Sequence, residues 1–66
     1  MKRDSRSIRK QLEADGWFEV STRGSHVQFK HSAKPGRVTL PHPKREIRIG
    51  TLRSIYRQAQ WKWPPT

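Results

Sequence analysis

The sequence predicts an α+β domain in two layers: a helix, three antiparallel strands and a second helix, with both helices on one face of the sheet. Three observations carry this reading. Gly24-Ser25 separates two runs rich in aromatic and β-branched residues. The short run 37–40 supplies apolar residues that match those of the second run. Leu52, Ile55, Tyr56 and Ala59 recur at helical spacing.

The first helix is the least marked element. Asp4 or Ser5 can cap it and Gly16 can end it. Between them, Ile8 and Leu12 lie four apart and make a narrow apolar stripe.

Residues 17–23 and 26–31 form the expected hairpin. Gly followed by a small polar residue favours a two-residue type II′ turn. That turn pairs Arg23 with His26, Val20 with Phe29 and Glu19 with Lys30. Residues opposite each other share a face. Phe18, Val20, Val27 and Phe29 are therefore expected in the core. Glu19, Arg23, His26, Gln28 and Lys30 are expected on the other, open face.

A third strand, Arg37 to Leu40, follows the Lys34-Pro35-Gly36 loop. It sets Phe29 beside Val38 and Val27 beside Leu40. Pro41 and Pro43 end it. A basic loop from His42 to Arg48 comes next, with Ile47 and Ile49 as its expected anchors. The second helix is predicted over about 51–60. Residues 1–60 thus read as one domain, and 61–66 as an irregular Trp/Pro-rich tail with one or both tryptophans folded back.

Composition narrows the function. Fifteen Lys and Arg against five Asp and Glu give a formal charge of +10 on 66 residues. Such density predicts a polyanionic partner, nucleic acid first and an acidic protein second. The basic residues do not line one long amphipathic helix, so a membrane surface is a poorer fit. There is no cysteine, no long apolar stretch, and the opening residues are charged. A soluble cytoplasmic protein is the expectation. With so few carboxylates, chemistry by a carboxylate pair is improbable.

His26 is the leading candidate for chemistry. It follows the tight turn and lies on the open face with Arg23, Gln28 and Lys30. Imidazole can take or give a proton near neutral pH, and nearby cations can hold a phosphodiester. His31 falls on the core parity and reads as structural. His42, between two prolines and beside Lys44-Arg45, reads equally as structural or as phosphate-positioning. Histidine spacings of five and eleven match no compact zinc signature, so no metal or other cofactor is expected. Lys44, Arg45 and Arg48, and separately Arg53 and Arg57, read as phosphate-binding surface.

Taken in order, Gly16-Trp17, Gly24-Ser25-His26, Phe29-Lys30-His31, 38–43 (Val-Thr-Leu-Pro-His-Pro) and 50–55 (Gly-Thr-Leu-Arg-Ser-Ile) resemble the HicA family of bacterial toxins. The resemblance covers about residues 5–60. It implies a double-stranded-RNA-binding-like fold and an mRNA interferase of a type II toxin–antitoxin system, neutralised by a HicB-type antitoxin. The family's catalytic histidine maps onto His26. Many members carry a second histidine directly after it; here that position is Val27, so a two-histidine mechanism has no support. The expected RNA contacts are Arg23, Ser25, Gln28, Lys30, Lys44, Arg45 and Arg48, and no metal takes part. A non-catalytic RNA-binding module of the same fold is the alternative.

Overall fold

The computed structural model describes residues 2–65. Met1 and Thr66, the outer ends of the two expected segments, lie outside the described residues. The order is α1 (Ser5–Ala14), β1 (Trp17–Arg23), β2 (His26–His31), β3 (Val38–Pro41) and α2 (Ile49–Ala59). The strands form one antiparallel sheet in the order β1-β2-β3. Both helices pack on one of its faces, and the core unites Ile8 and Leu12 of α1, Leu52, Ile55, Tyr56 and Ala59 of α2, and five sheet residues. The α+β reading therefore holds.

Local chemistry sets the element ends. Asp4 caps α1, its carboxylate accepting from the Ser7 amide at 3.0 Å. Gly16 has φ 98°, and a Cβ there would stand 2.8 Å from His31 Nε2, so both backbone and space require glycine. At the hairpin, Gly24 takes φ 56° while Ser25 keeps an ordinary negative φ. A II′ turn requires that combination.

The register agrees with expectation near the turn and then departs from it. Arg23 pairs with His26, Thr22 with Val27 and Ser21 with Gln28. Between Glu19 and Ser21 the ladder carries a bulge, after which Glu19 pairs with Phe29 and Phe18 with Lys30. One extra residue on β1 reverses the face of everything before it. The expected core positions of Phe18 and Val20 are thus wrong: they are 50% and 42% exposed, whereas Trp17 is 2% exposed and enters the core. Glu19, expected on the open face, lies on the helical side, where Arg9 Nη2 donates to it at 2.7 Å. The pairing of β2 with β3 is as expected, with Val27 opposite Leu40 and Phe29 opposite Val38. Ile47 is fully buried, but Ile49 is half exposed and anchors nothing.

A polar hub closes the far end of the domain. Asp15 Oδ2 accepts from Trp17 Nε1 at 3.0 Å, Lys34 Nζ at 2.6 Å and Trp61 Nε1 at 3.0 Å. Lys34 also donates to the Ala59 carbonyl at 3.0 Å. His31 joins the hub: its Nδ1 accepts from the amides of Ala33 and Lys34, which leaves Nε2 to donate to the Asp15 carbonyl at 2.6 Å. The expected structural role of His31 is what its two nitrogens perform.

The Lys34 ammonium, then the Trp61 N–H and, more weakly, the Trp17 N–H, hold the Asp15 carboxyl below its ordinary 3.8. A carboxylate depressed in the folded state gives stability that is complete above its unfolded pKa and is lost as pH falls through the folded one. Thermal melts should therefore weaken below about pH 4. Asp15→Asn should cost about 1–2 kcal/mol at pH 7 and make the acid slope shallower. The Asp4 cap, held low by Ser7, supplies part of the slope that remains. Identical acid slopes in both proteins would rule out Asp15 as the responsible group. The bulge makes a second prediction, checked by urea unfolding: Trp17→Ala should cost about 3–5 kcal/mol, and Phe18→Thr should stay within about 0.5 kcal/mol.

Candidate nucleic-acid interface

The open sheet face is built in rows across the strands. Arg23, His26 and Pro41 make the row nearest the turn, Ser21, Gln28 and Thr39 the next, and Phe18 and Lys30 the third. His26 begins β2 and is exposed. The II′ turn and the β2–β3 ladder together fix its backbone, so its direction out of the sheet follows from the register. Gln28 is half-buried and accepts from Arg37 Nη1 at 2.7 Å. Arg37 thereby brings a further guanidinium to this face.

The turn is tied to the basic loop. The His42 amide donates to the Ser25 carbonyl at 2.8 Å. His42 itself belongs to the opposite parity and meets α1, with Nδ1 2.8 Å from the Ser5 hydroxyl. Ser5 is 2% exposed. Its hydroxyl accepts from the Lys44 amide at 2.8 Å, and its amide donates to the Lys44 carbonyl at 2.8 Å. Accepting from Lys44 leaves the hydroxyl hydrogen to donate, and we assign it to His42 Nδ1, which puts the ring proton on Nε2. Of the two roles open for His42, the structural one is directly visible.

These anchors shape a cleft of about 460 Å³ lined by Asp4, Ser5, Arg6, His42, Pro43, Lys44 and Arg45. Three cationic side chains converge there. The seven expected contact residues therefore fall into separate places. Arg23, Gln28 and Lys30 share the open face with His26. Ser25 sits in the turn, its carbonyl accepting from the His42 amide. Lys44 and Arg45 line the cleft. Arg48 stands at the N-cap of α2, outside that cleft, and makes no side-chain cap bond.

Sequence reasoning missed four contributors: Arg6, Arg37, Phe18 and Ser5. A signal existed only for Phe18. Trp17 and Phe18 are adjacent aromatics on opposite parities, so any ladder must leave one of them outside. Among the described residues no three His, Cys, Asp or Glu side chains group as a metal site, and no helix is long and apolar enough to cross a membrane.

Helix, three-stranded antiparallel sheet and helix, with one sheet face uncovered, is the double-stranded-RNA-binding-domain-like arrangement. A comparison with curated proteins gives no match. The family model described as the HicA toxin of bacterial toxin–antitoxin systems matches residues 5–61. The chain belongs to this family, which places it on the toxin side of a toxin–antitoxin pair.

The Ser5 linkage makes a prediction about the cleft wall. Ser5→Ala removes the acceptor of the Lys44 amide and the partner of His42 in a buried setting. It should cost about 1–3 kcal/mol in thermal unfolding and speed hydrogen exchange at the Lys44 amide. Unchanged exchange at Lys44 would show that Ser5 does not hold the loop.

Proposed function

We propose that the chain is an endoribonuclease, an mRNA interferase that arrests translation and growth, with His26 as its catalytic base. The observation that carries this reading is the row at the hairpin turn: an exposed imidazole directly opposite Arg23, on a face that also bears Lys30 and Arg37. Family membership supplies the toxin context. The proposed site acts in the cytoplasm, where mRNA is translated.

The chemistry follows from those groups. The neutral imidazole of His26 takes the proton of a ribose 2′-hydroxyl. The 2′-oxygen attacks the adjacent phosphorus, the bond from phosphorus to the 5′-oxygen breaks, and that oxygen takes a proton from water. The products are a 2′,3′-cyclic phosphate and a free 5′-hydroxyl. Arg23 and Lys30 stabilise the charge that builds on the phosphorane oxygens. Ser25 and Gln28 contact the strand beside the scissile bond. Lys44, Arg45 and Arg48 hold backbone phosphates further along it. Val27 is buried, so His26 acts without a second histidine beside it. No side chain stands out as an acid for the leaving group, which predicts slow turnover.

A HicB-type antitoxin would neutralise this site by covering the open face. Its footprint should include Arg23, His26 and Phe18, and leave the solvent side of the helices free.

His26→Ala should lower cleavage of a transcript by roughly 10²–10⁴-fold and abolish growth arrest on induction. Cleavage by the parent protein should persist in EDTA and leave a cyclic phosphate end. If His26→Ala cuts RNA and stops growth as the parent does, the catalytic assignment is wrong. Binding without any cutting by the parent would instead make the chain a non-catalytic RNA-binding module.

A further inference from the structure

A second cleft, of about 340 Å³, is lined by Arg53, Arg57, Trp61 and Trp63. It shares no lining residue with the cleft at Lys44 and Arg45. Nothing in the cleavage chemistry uses the two tryptophans.

The two indoles are held ready. Each stands edge-on to the Tyr56 ring, at 5.1 Å and 81° for Trp61 and 5.2 Å and 79° for Trp63. Tyr56 is buried in the core, so both indoles rest on a fixed base. The Trp61 N–H donates to Asp15, which fixes that ring in its plane as well. Both remain partly exposed. Aromatic surface ordered beforehand loses little freedom on binding.

The cations are placed to match. Arg53 and Arg57 are exposed and lie one turn apart on α2. Among the described residues neither forms an ion pair. No carboxylate lines the cleft. The Asp15 carboxylate, which touches Trp61 from behind, already accepts from three donors.

Indole surface beside unpaired guanidinium groups is the combination that holds single-stranded nucleic acid, by base stacking and phosphate contact together. The carboxylate side chains of an acidic peptide would match the arginines but offer no flat ring to the indoles. A duplex buries its base faces and offers the indoles nothing. We propose that this cleft binds an unpaired stretch of RNA, with a base stacked against Trp61 and Trp63 and its phosphates on Arg53 and Arg57. The proposal rests on the reading of RNA as the target, and adds a strand-holding site separate from His26.

The test uses 2′-O-methyl oligouridine of eight nucleotides, which lacks the hydroxyl needed for cleavage, and tryptophan fluorescence of the full chain. Trp17 is buried and gives a constant background. Binding should quench the signal. Trp63→Ala should weaken binding roughly five- to a hundredfold, and Trp63→Phe should restore most of it. Arg53→Gln with Arg57→Gln, both on the solvent side of α2, should keep the fold, weaken binding about tenfold and make its salt dependence shallower. An oligomer annealed to its complement should bind the parent and Trp63→Ala alike. His26→Ala should still quench fully. If the arginine pair and Trp63→Ala bind as the parent does, the proposal is wrong, whatever His26→Ala does to cleavage. If a polyglutamate peptide displaces the oligomer and binds tighter, the cleft is a protein site and the proposal is likewise wrong. Continued cleavage by His26→Ala would remove the catalytic reading and leave this one standing.

Discussion

One carboxylate oxygen fastens, beside the apolar core, parts of this domain that meet at its far end. Asp15 Oδ2 takes hydrogen bonds from β1 (Trp17), from the loop between β2 and β3 (Lys34) and from the segment after α2 (Trp61). Asp15 is also the C-cap of α1. Three stretches distant in sequence, the α1–β1 junction, the β2–β3 loop and the segment after α2, therefore meet at one atom. A 66-residue chain buries a small core and holds a margin of only about 3–5 kcal/mol, and a charge-assisted hydrogen bond contributes about 1.5–3 kcal/mol. Losing the hub's charge, at about 1–2 kcal/mol, would thus remove a substantial share of that margin. It also holds Trp61, one wall of the cleft at Arg53 and Arg57, in place.

The elements were legible in the sequence because their ends carry strong chemical signals. Asp4, Gly16 and Gly24-Ser25 each mark a boundary that the structure keeps, whereas β3 is shifted by one residue from the expected 37–40 and runs through Pro41. The face of each strand was legible only where an unbroken ladder runs back from a turn. β2 and β3 meet that condition, and their pairing agrees at Val27–Leu40 and Phe29–Val38, although Arg37 lies outside the strand and does not pair with Lys30. β1 meets it only from Arg23 to Ser21. The bulge at Val20 has no marker such as glycine, because it answers to the competition between Trp17 and Phe18 for the core. Trp17 prevails for two reasons: its N–H reaches Asp15, and its ring meets His31 edge-on at 5.2 Å. His31 is remote in sequence, and the hydrogen bond to the nearby Asp15 is not registered by alternation, so alternation alone could not weigh them.

For the candidate site the division is similar. The row of Arg23 and His26 lies next to the turn, where the register was sound. The Lys44 and Arg45 cleft follows from a run of charge. What stayed hidden depends on contacts across the fold: Ser5 holding both His42 and Lys44, Arg37 reaching Gln28, and Phe18 turned outward by the bulge. The bulge therefore has a chemical consequence beyond packing. It exchanges a carboxylate, Glu19, for an aromatic ring, Phe18, on the face that bears His26.

That exchange belongs to a wider pattern in the acidic residues. All five are engaged in structure. Asp4 caps α1 through Ser7, Glu13 and Glu19 both meet Arg9, Asp15 meets Lys34, and Glu46 meets Arg3. These contacts involve three of the fifteen cations. The rest stay clear of ion pairs among the described residues, and no carboxylate points out of the open face. Exposed ion pairs stabilise little, about 0–1 kcal/mol each, so the value of this arrangement lies less in stability than in the field it leaves. Placing every negative charge on the helical side or in the connecting loops gives a polyanion an unopposed approach to the sheet. The same placement shows why the chain tolerates +10 at all: its few acids neutralise the cations closest to the core and leave the remainder in water, where salt screens their mutual repulsion.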